Sequence, residues 1–333
     1  MLSLFNAKTS VRVTGLLGVV EFLVFLVLSV VLLAHGHQGF QFQYFTPQAS
    51  ADGYGGLLFA FIFGFLCFVG YESGLPLTEE TKDTKVSTFK GLIRSVFLAG
   101  LFFVFVSYAT VVGFGGEDSV HFAKSFSDAP NPYGATLALQ AFGVVGPWLI
   151  FFAAVNSTLA CCLASQNSAS RVFFALGRAG VFPKWMGKTT NFSKVPVHAV
   201  TLNAVLTLVV TLFFSSFVVR ENAFDWYGFA GVMLVLPLLV IHFVTCVSVF
   251  VAYRYREQGQ FKFLHHGIIP SVAGLLTLLP IWGAIYYNRT PPMSYAPWVV
   301  LVWFFVGVGG YLWLKKKHPD NLQALEHEMK FLS

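Results

Sequence analysis

Eight long apolar stretches, separated by short polar segments, dominate the pattern of hydrophobic and polar positions. They lie at residues 13–34, 55–77, 92–114, 147–169, 197–217, 226–252, 267–287 and 297–314. An apolar run of about 18 residues or more is long enough to cross a bilayer as a helix. The pattern therefore predicts an all-α polytopic membrane helix bundle. It forms one transmembrane domain of eight helices over residues 1–333, with a short polar tail at 318–333.

The second stretch stops behaving like an ordinary membrane helix part of the way along. Its aromatic segment Phe61–Val69 leads into Gly70-Tyr71-Glu72-Ser73-Gly74, and Pro76 follows. Glycine weakens a helix, and a proline removes a backbone donor. Backbone groups freed in this way survive in a bilayer only against protein or a wet cavity. The residues predict either an interrupted helix of the kind that marks a transporter's substrate site, or a kinked helix with a glycine packing face.

Composition and motifs narrow the class of protein. The chain is 56% hydrophobic and only 11% charged, whereas soluble domains carry about 25% charged residues. The net charge of +6 comes from short loops between the predicted spans, so we expect no nucleic-acid partner. The sequence has no phosphate-binding loop, dinucleotide fingerprint or nucleophile elbow, and its four cysteines lack the spacing of a metal site. We expect neither a cofactor nor a metal.

The distribution of lysine and arginine predicts the orientation, because cytoplasmic loops are enriched in these residues. Of the 21 lysines and arginines, only Lys124, Arg220 and Arg289 fall on one side of the predicted spans. Both termini share the opposite side and are therefore predicted to be cytoplasmic. On the outer side, the apolar stretch 134–142 could form a short helix in the longest connection.

Two segments resemble amino acid permeases of the amino acid–polyamine–organocation superfamily. Residues 64–95, GFLCFVGYESGLPLTEETKDTKVSTFKGLIRS, are similar to the sixth helix and following cytoplasmic loop of that family. Residues 169–188, ASRVFFALGRAGVFPKWMGK, resemble the loop after its eighth helix. The resemblance maps the eight predicted spans onto the fifth to twelfth family helices.

The resemblance implies a secondary transporter, a symporter or an antiporter, in the plasma membrane. It would move an amino acid or a related amine, coupled to a proton or a sodium ion. The family core has two inverted five-helix repeats, and this chain would hold only the last helix of the first repeat and the whole second repeat. A separately encoded N-terminal portion of four helices would then be a partner.

Three polar residues inside the apolar runs are predicted to couple transport to an ion. Glu21 lies near the middle of the first span, where a charge costs about 2.5–3.5 kcal/mol on insertion scales. By resemblance it matches the position at which proton-coupled family members place a lysine, and it could take up and release a proton. Asn156 and Ser157 match a part of the eighth helix that supplies oxygen ligands to an ion in sodium-coupled relatives. The alternative for all three is hydrogen bonding between packed helices.

The interrupted segment is predicted to bind the substrate. The residues concerned are Phe68, Val69, Gly70, Tyr71, Glu72 and Ser73. Half-helix ends there would offer amides and carbonyls to the charged groups of an amino acid. By resemblance, Phe68 or Tyr71 would close over the bound molecule.

Two other functions compete with transport. A truncated permease could be a transport-incompetent remnant or a membrane scaffold that binds partners. An intramembrane enzyme could use Glu21 and Glu72 as an acid/base pair, but no nucleophile or metal cluster accompanies them. We therefore expect a permease and not an enzyme.

Overall fold

The structure of the protein, a computed structural model, describes residues 7–35, 40–50, 53–71, 86–113, 133–190, 195–217, 223–256, 259, 261–287 and 291–322. Every regular element within these residues is helical. The α-helices are α1 (Ala7–His35), α2 (Gly53–Leu66), α3 (Val86–Gly113), α4 (Tyr133–Phe142), α5 (Val145–Arg178), α6 (Val197–Phe217), α7 (Ala223–Val251), α8 (Ile269–Tyr286) and α9 (Ala296–Lys317).

Seven of these helices are long and apolar enough to cross a membrane, and they coincide with seven of the eight predicted spans. The spans are Gly15–His35, Lys90–Gly113, Val145–Arg178, Val197–Ser216, Asp225–Tyr255, Phe263–Tyr286 and Met293–Lys317. Many of their apolar side chains are exposed, for example Trp298 at 67% and Phe305 at 64%. Such faces are typical of helices surrounded by lipid. The chain is a multi-pass membrane protein.

The remaining predicted span, 55–77, contains the short helix α2, which has 14 residues. The sequence predicted a span as far as Leu77 with an interruption at Gly70–Gly74; α2 ends earlier, at Leu66, and a turn follows. Gly70 has a φ of +116°, which lies outside the helical region, and the residues before it tighten into a turn. Residues 72–85 lie outside the described part of the chain, so the span at 55–77 stays a prediction.

Helix α5 is longer than predicted. It has 34 residues and continues to Arg178, beyond the predicted end at Ala169. The polar residues after Gln166 favoured the earlier end. The helix instead ends where Gly180 adopts a φ of +74°, because a left-handed glycine closes the last turn. The predicted short helix at 134–142 is confirmed as α4.

The described residues divide into two compact units. The first unit lies within Met1–Tyr44, Gly70–Phe213 and Gly309–Ser333, and the second within Phe45–Val69 and Phe214–Val308. The core of the first unit consists of buried residues from α1, α4 and α5: Leu28, Leu32, Leu137, Ala138 and Ile150. That of the second comes from α2, α7, α8 and α9: Ile62, Phe229, Val232, Val235, Leu236, Leu239, Ala284 and Ala296.

Glycines allow close helix contacts in both units. A Cβ on Gly146 of α5 would overlap the backbone of Ala138 in α4. A Cβ on Gly283 of α8 would overlap the Leu58 carbonyl of α2. Small residues permit backbones to approach each other in membrane helices. The pairs α4–α5 and α2–α8 therefore pack backbone against backbone.

Candidate functional site

The carboxyl group of Glu21 meets the hydroxyl group of Ser157. Glu21 is half-buried on α1, and its side chain forms a hydrogen bond with the half-buried Ser157 of α5. Both residues belong to the first unit, where α1 and α5 pack together. A carboxyl group at this depth is costly in lipid, and a polar partner on the facing helix reduces that cost.

The neighbouring Asn156 binds the same turn of α1. Its Nδ2 donates a hydrogen bond to the Leu17 carbonyl at 2.7 Å, and its side chain is 5% exposed. Leu17 precedes Glu21 by four residues, so the accepting carbonyl and the carboxyl group lie on one face of α1. Thr158 differs, because its hydroxyl donates to Ala154 in its own helix and the residue is exposed.

The three residues predicted to couple transport to an ion are thus brought together between α1 and α5. We call Glu21, Asn156 and Ser157 the α1–α5 polar cluster. It offers one ionisable carboxyl group, one hydroxyl group and one amide. Such groups can hold a proton or supply oxygen ligands to a hard cation. The alternative prediction was that these residues only join the helices by hydrogen bonds. The same contacts, Glu21 with Ser157 and Asn156 with Leu17, are also what that alternative requires.

The predicted substrate segment is described in part. After α2, the amides of Phe68 and Val69 donate to Phe65 at 3.0 Å and Leu66 at 3.1 Å, a spacing of three residues in place of four. Gly70 then takes its positive φ, and Tyr71, the last described residue of this segment, has a 3-10 conformation. Glu72 and Ser73 lie outside the described residues. The regular helix therefore stops ahead of Gly70, and Phe68 to Gly70 form a turn.

A second polar cluster lies between α5 and α6. Gln166 Nε2 donates to the Val200 carbonyl at 2.6 Å, and Asn203 Nδ2 donates to Gln166 Oε1 at 2.7 Å. The sequence interpretation did not single out these amides. The signal was available, because an amide inside an apolar run needs a hydrogen-bonding partner. What the sequence does not show is which helix supplies that partner.

His242 packs beside the last turn of α2. Its ring lies edge to face with that of Phe65 at 5.5 Å, and its Nδ1 bonds the Leu238 carbonyl one turn earlier in α7 at 2.8 Å. This contact is within the second unit. It shows a packing role for the histidine.

These features define a polytopic helical membrane protein with polar residues clustered inside its spans and a helix that stops short. The model of the amino acid permease family matches residues 1–310. The chain belongs to this family, which confirms the resemblance seen in its sequence.

Two curated relatives are both branched-chain amino acid permeases named BcaP. The protein of Lactococcus lactis subsp. cremoris is 20% identical over 271 residues, covering 80% of this chain and 52% of the relative. The protein of Bacillus subtilis is 29% identical over 212 residues, covering 62% of this chain and 42% of the relative. The chain therefore spans about half the length of the curated relatives it matches. No solved structure matches it.

Family membership supports amino acid transport at the level of the family. It points to a transporter and not to an enzyme. Neither the acid/base enzyme nor the transport-incompetent scaffold is favoured. The placement of the chain on the fifth to twelfth family helices stays a prediction.

Proposed function

We propose that the chain is the C-terminal portion of a proton- or sodium-coupled amino acid permease in the plasma membrane. Its eight spans would comprise the last helix of the first repeat, the second repeat and two peripheral helices. The observation that carries this proposal is the α1–α5 polar cluster, in which Glu21 and Ser157 form a hydrogen bond. A carboxyl group kept at membrane depth is by default a functional group.

The coupling ion acts at this cluster in our proposal. Glu21 either exchanges a proton or, when ionised, holds a sodium ion with oxygen atoms from Ser157 and Asn156. In both cases the bound ion neutralises the carboxylate and changes the contact between α1 and α5. Because an ion can shift a conformational equilibrium only through such a difference in binding, this contact is where coupling would arise.

The substrate binds at the segment Phe68–Ser73 in the same proposal. The turn from Phe68 to Gly70 supports this placement, since irregular backbone at membrane depth is tolerated where it lines a cavity. Because both relatives are branched-chain amino acid permeases, a branched-chain amino acid is the first substrate to test. Phe68 and Val69 would provide apolar contacts for its side chain.

The proposed orientation has both termini in the cytoplasm. One contact in the first unit supports it. Asn321, just after α9, donates to the Gly180 carbonyl, just after α5, at 2.7 Å. The C-terminal ends of α5 and α9 thus lie on one side, as expected if both helices run toward the cytoplasm.

The test of coupling uses three substitutions in a permease completed with the four preceding family helices. Glu21→Gln should change the pH or sodium dependence of branched-chain amino acid uptake more than it changes protein abundance. Ser157→Ala should change the same dependence in the same direction. Thr158→Val is the matched control, because this hydroxyl bonds only within its own helix among the contacts described. A Glu21→Gln profile identical to that of the wild type would contradict the coupling role.

The role of the first repeat is tested separately. Alternating access needs one repeat to move against the other around a shared site. We therefore expect the 333-residue segment in liposomes to insert without gradient-driven accumulation of amino acid. Adding the four preceding helices, in one polypeptide or as a second one, should restore accumulation. Saturable uptake by the segment alone would show that the second repeat does not need the first.

A further inference from the structure

The loop after α5 folds into a compact, well-defined structure. The amide of Val181 donates to the Leu176 carbonyl at 3.0 Å, the amide of Gly180 donates to the Gly177 carbonyl at 3.3 Å, and Gly180 takes its positive φ. These are the bonds of a helix-ending Schellman motif. The 3-10 turn Lys184–Gly187 then packs back on α5, where a Cβ on Gly177 would lie 2.6 Å from the amide nitrogen of Gly187. Met186 is buried at 2% exposure.

The segment after α9 is attached to this loop. The bond from Asn321 Nδ2 to the Gly180 carbonyl joins them, and a Cβ on Gly180 would lie 3.3 Å from the Asn321 side chain. Lys317 and Lys184 are each four residues from this bond, which places their Cα atoms within about 14 Å of it. The lysines at the end of α9 are therefore held beside the basic loop after α5.

The joined segments present six cations to solvent or lipid headgroups. All six are exposed: Arg178, Lys184, Lys188, Lys315, Lys316 and Lys317. Asp320 is the single carboxylate within residues 171–190 and 309–322. One or two cations would be enough to complement the C-terminal dipoles of two helices. A surface with this much positive charge attracts anions.

Two tryptophans indicate which anionic partner fits. Trp185 and Trp313 are 45% and 54% exposed on the same two segments, and Lys317 lies over the ring of Trp313 at 5.8 Å. Exposed tryptophan beside lysine and arginine is typical of the headgroup level of a bilayer. A soluble anion would gain nothing from these apolar rings.

We propose that Arg178, Lys184, Lys188 and Lys315–Lys317 form one surface that binds the phosphate groups of anionic phospholipids. The Asn321–Gly180 contact assembles it from the loop after α5 and the end of α9. We call these six residues the basic lipid surface. Its cations bind the headgroups, and the two tryptophans pack against the adjoining acyl chains.

Native mass spectrometry of the purified chain tests this proposal. Detergent micelles would contain either phosphatidylglycerol or phosphatidylcholine. The wild type should retain phosphatidylglycerol in preference to phosphatidylcholine. The triple variant Lys315→Gln, Lys316→Gln, Lys317→Gln should lose this retention by roughly tenfold or more, since each cation near an anionic surface contributes substantially to binding. Equal retention of the two lipids by the wild type would overturn the proposal.

Matched variants separate charge from folding. The triple variant Arg254→Gln, Arg256→Gln, Lys262→Gln removes three cations from the second unit and should retain the lipid as the wild type does. Replacing Lys315–Lys317 by arginine keeps the charge and should keep retention. Loss of retention in the arginine variant, or equal loss in the second-unit variant, would contradict a charged surface at this place.

Two further arms test the assembly of the surface and the source of the phosphate. Asn321→Ala keeps every cation but removes the contact with Gly180. Lipid retention should fall by roughly threefold, because the loop after α5 and the end of α9 are then no longer held side by side to bind the same headgroups. Unchanged retention would overturn the claim of a single surface. Inorganic phosphate at millimolar concentration should not displace the lipid. Displacement would assign the surface to soluble anions.

Discussion

At the scale of single residues, the polar side chains inside the spans matter through the partners they find on other helices. Asn156 bonds the Leu17 carbonyl, whereas Thr158, two residues later, bonds a carbonyl of its own helix. Substitution of Asn156 therefore removes a contact between two helices, whereas substitution of Thr158 removes a contact within one helix. The first connects α1 to α5, and the second leaves the packing of helices unchanged.

Asn156→Leu should destabilise the protein. The substitution keeps the volume but removes a buried contact between helices, which costs about 0.5–1.5 kcal/mol. Thr158→Val, the matched control, should change stability by less than roughly 0.5 kcal/mol because the residue is exposed. Unfolding in detergent micelles at increasing denaturant measures both. Equal effects of the two substitutions would show that the bond to Leu17 contributes no stability.

Gln166 and Asn203 should be energetically coupled. Their side chains bond each other at 2.7 Å across α5 and α6, and such pairs in membrane proteins contribute on average about 0.6 kcal/mol. A double-mutant cycle with Gln166→Leu and Asn203→Leu measures the coupling. Gln166 with Thr158 makes the control pair, since the described contacts of Thr158 are within its own helix, and this pair should show additive effects. Additivity for Gln166 and Asn203 would argue against the bond.

The sequence supports the prediction of individual site residues better than that of their pairing. Glu21, Asn156 and Ser157 are conspicuous because polar groups in an apolar run need partners. Their actual contact depends on the crossing of α1 and α5, for which the sequence carries no local signal. The same limit applies to the pairing of Gln166 with Asn203, although each amide is conspicuous by itself inside an apolar run. Their roles in coupling, like that of Phe68–Ser73 in substrate binding, stay predictions.

At the scale of elements, α2 is the helix that differs from its neighbours. Its 14 residues rise about 21 Å, which is less than the roughly 30 Å of a bilayer's hydrocarbon core. It depends on packing within the second unit, where Ile62 is fully buried and Gly283 of α8 lies against the Leu58 carbonyl. The stability of this short helix therefore rests on the α2–α8 contact.

Gly283→Ala should disrupt that contact. The added Cβ meets backbone atoms that cannot rotate away, and overpacking of this kind costs about 1–3 kcal/mol. Gly307→Ala on α9 is the control, because a Cβ there meets nothing within 4 Å. Thermal unfolding in detergent micelles should show a lower midpoint for Gly283→Ala only. A midpoint equal to that of Gly307→Ala would mean that the close contact between α2 and α8 contributes nothing to the thermal stability of the protein.

Helix positions could be predicted where length and hydropathy suffice, and their ends could not. The seven long helices follow the apolar runs. The end of α2 at Leu66 could not be predicted, because Cys67, Phe68 and Val69 continue the apolar run up to the interruption expected at Gly70. Helix α5 continues past the predicted span end at Ala169, where the residues from Gln166 to Arg171 are mostly polar. In both helices the backbone conformation of a later glycine, Gly70 or Gly180, accompanies the real end.

At the scale of the whole molecule, the class of protein follows from composition, and the arrangement of helices does not. A chain with 56% hydrophobic and 11% charged residues is predicted to lie in a membrane. The division into two units depends on contacts far apart in sequence, such as Leu58 with Gly283 and Leu32 with Gly113. No periodicity in the sequence encodes these pairs.

The topology should place both termini in the cytoplasm with eight spans between them. Single cysteines in a background without the four native ones report the side of each loop. A membrane-impermeant thiol reagent added outside should reach cysteines at Ser119 and Asn222, and should miss those at Thr84 and Lys188. The lysines and arginines between the spans determine this result. Labelling at Thr84 from outside would overturn the orientation.

The positive φ of Gly70 has a stereochemical consequence. A Cβ there would meet nothing within 4 Å, so the site has room for a side chain. An L-amino acid is nevertheless disfavoured at φ of +116°, at a cost of roughly 1–3 kcal/mol that does not depend on side-chain size. Alanine and leucine should therefore be tolerated equally poorly, whereas D-alanine introduced by chemical ligation should fit. Handedness, and not volume, limits which amino acids position 70 accepts.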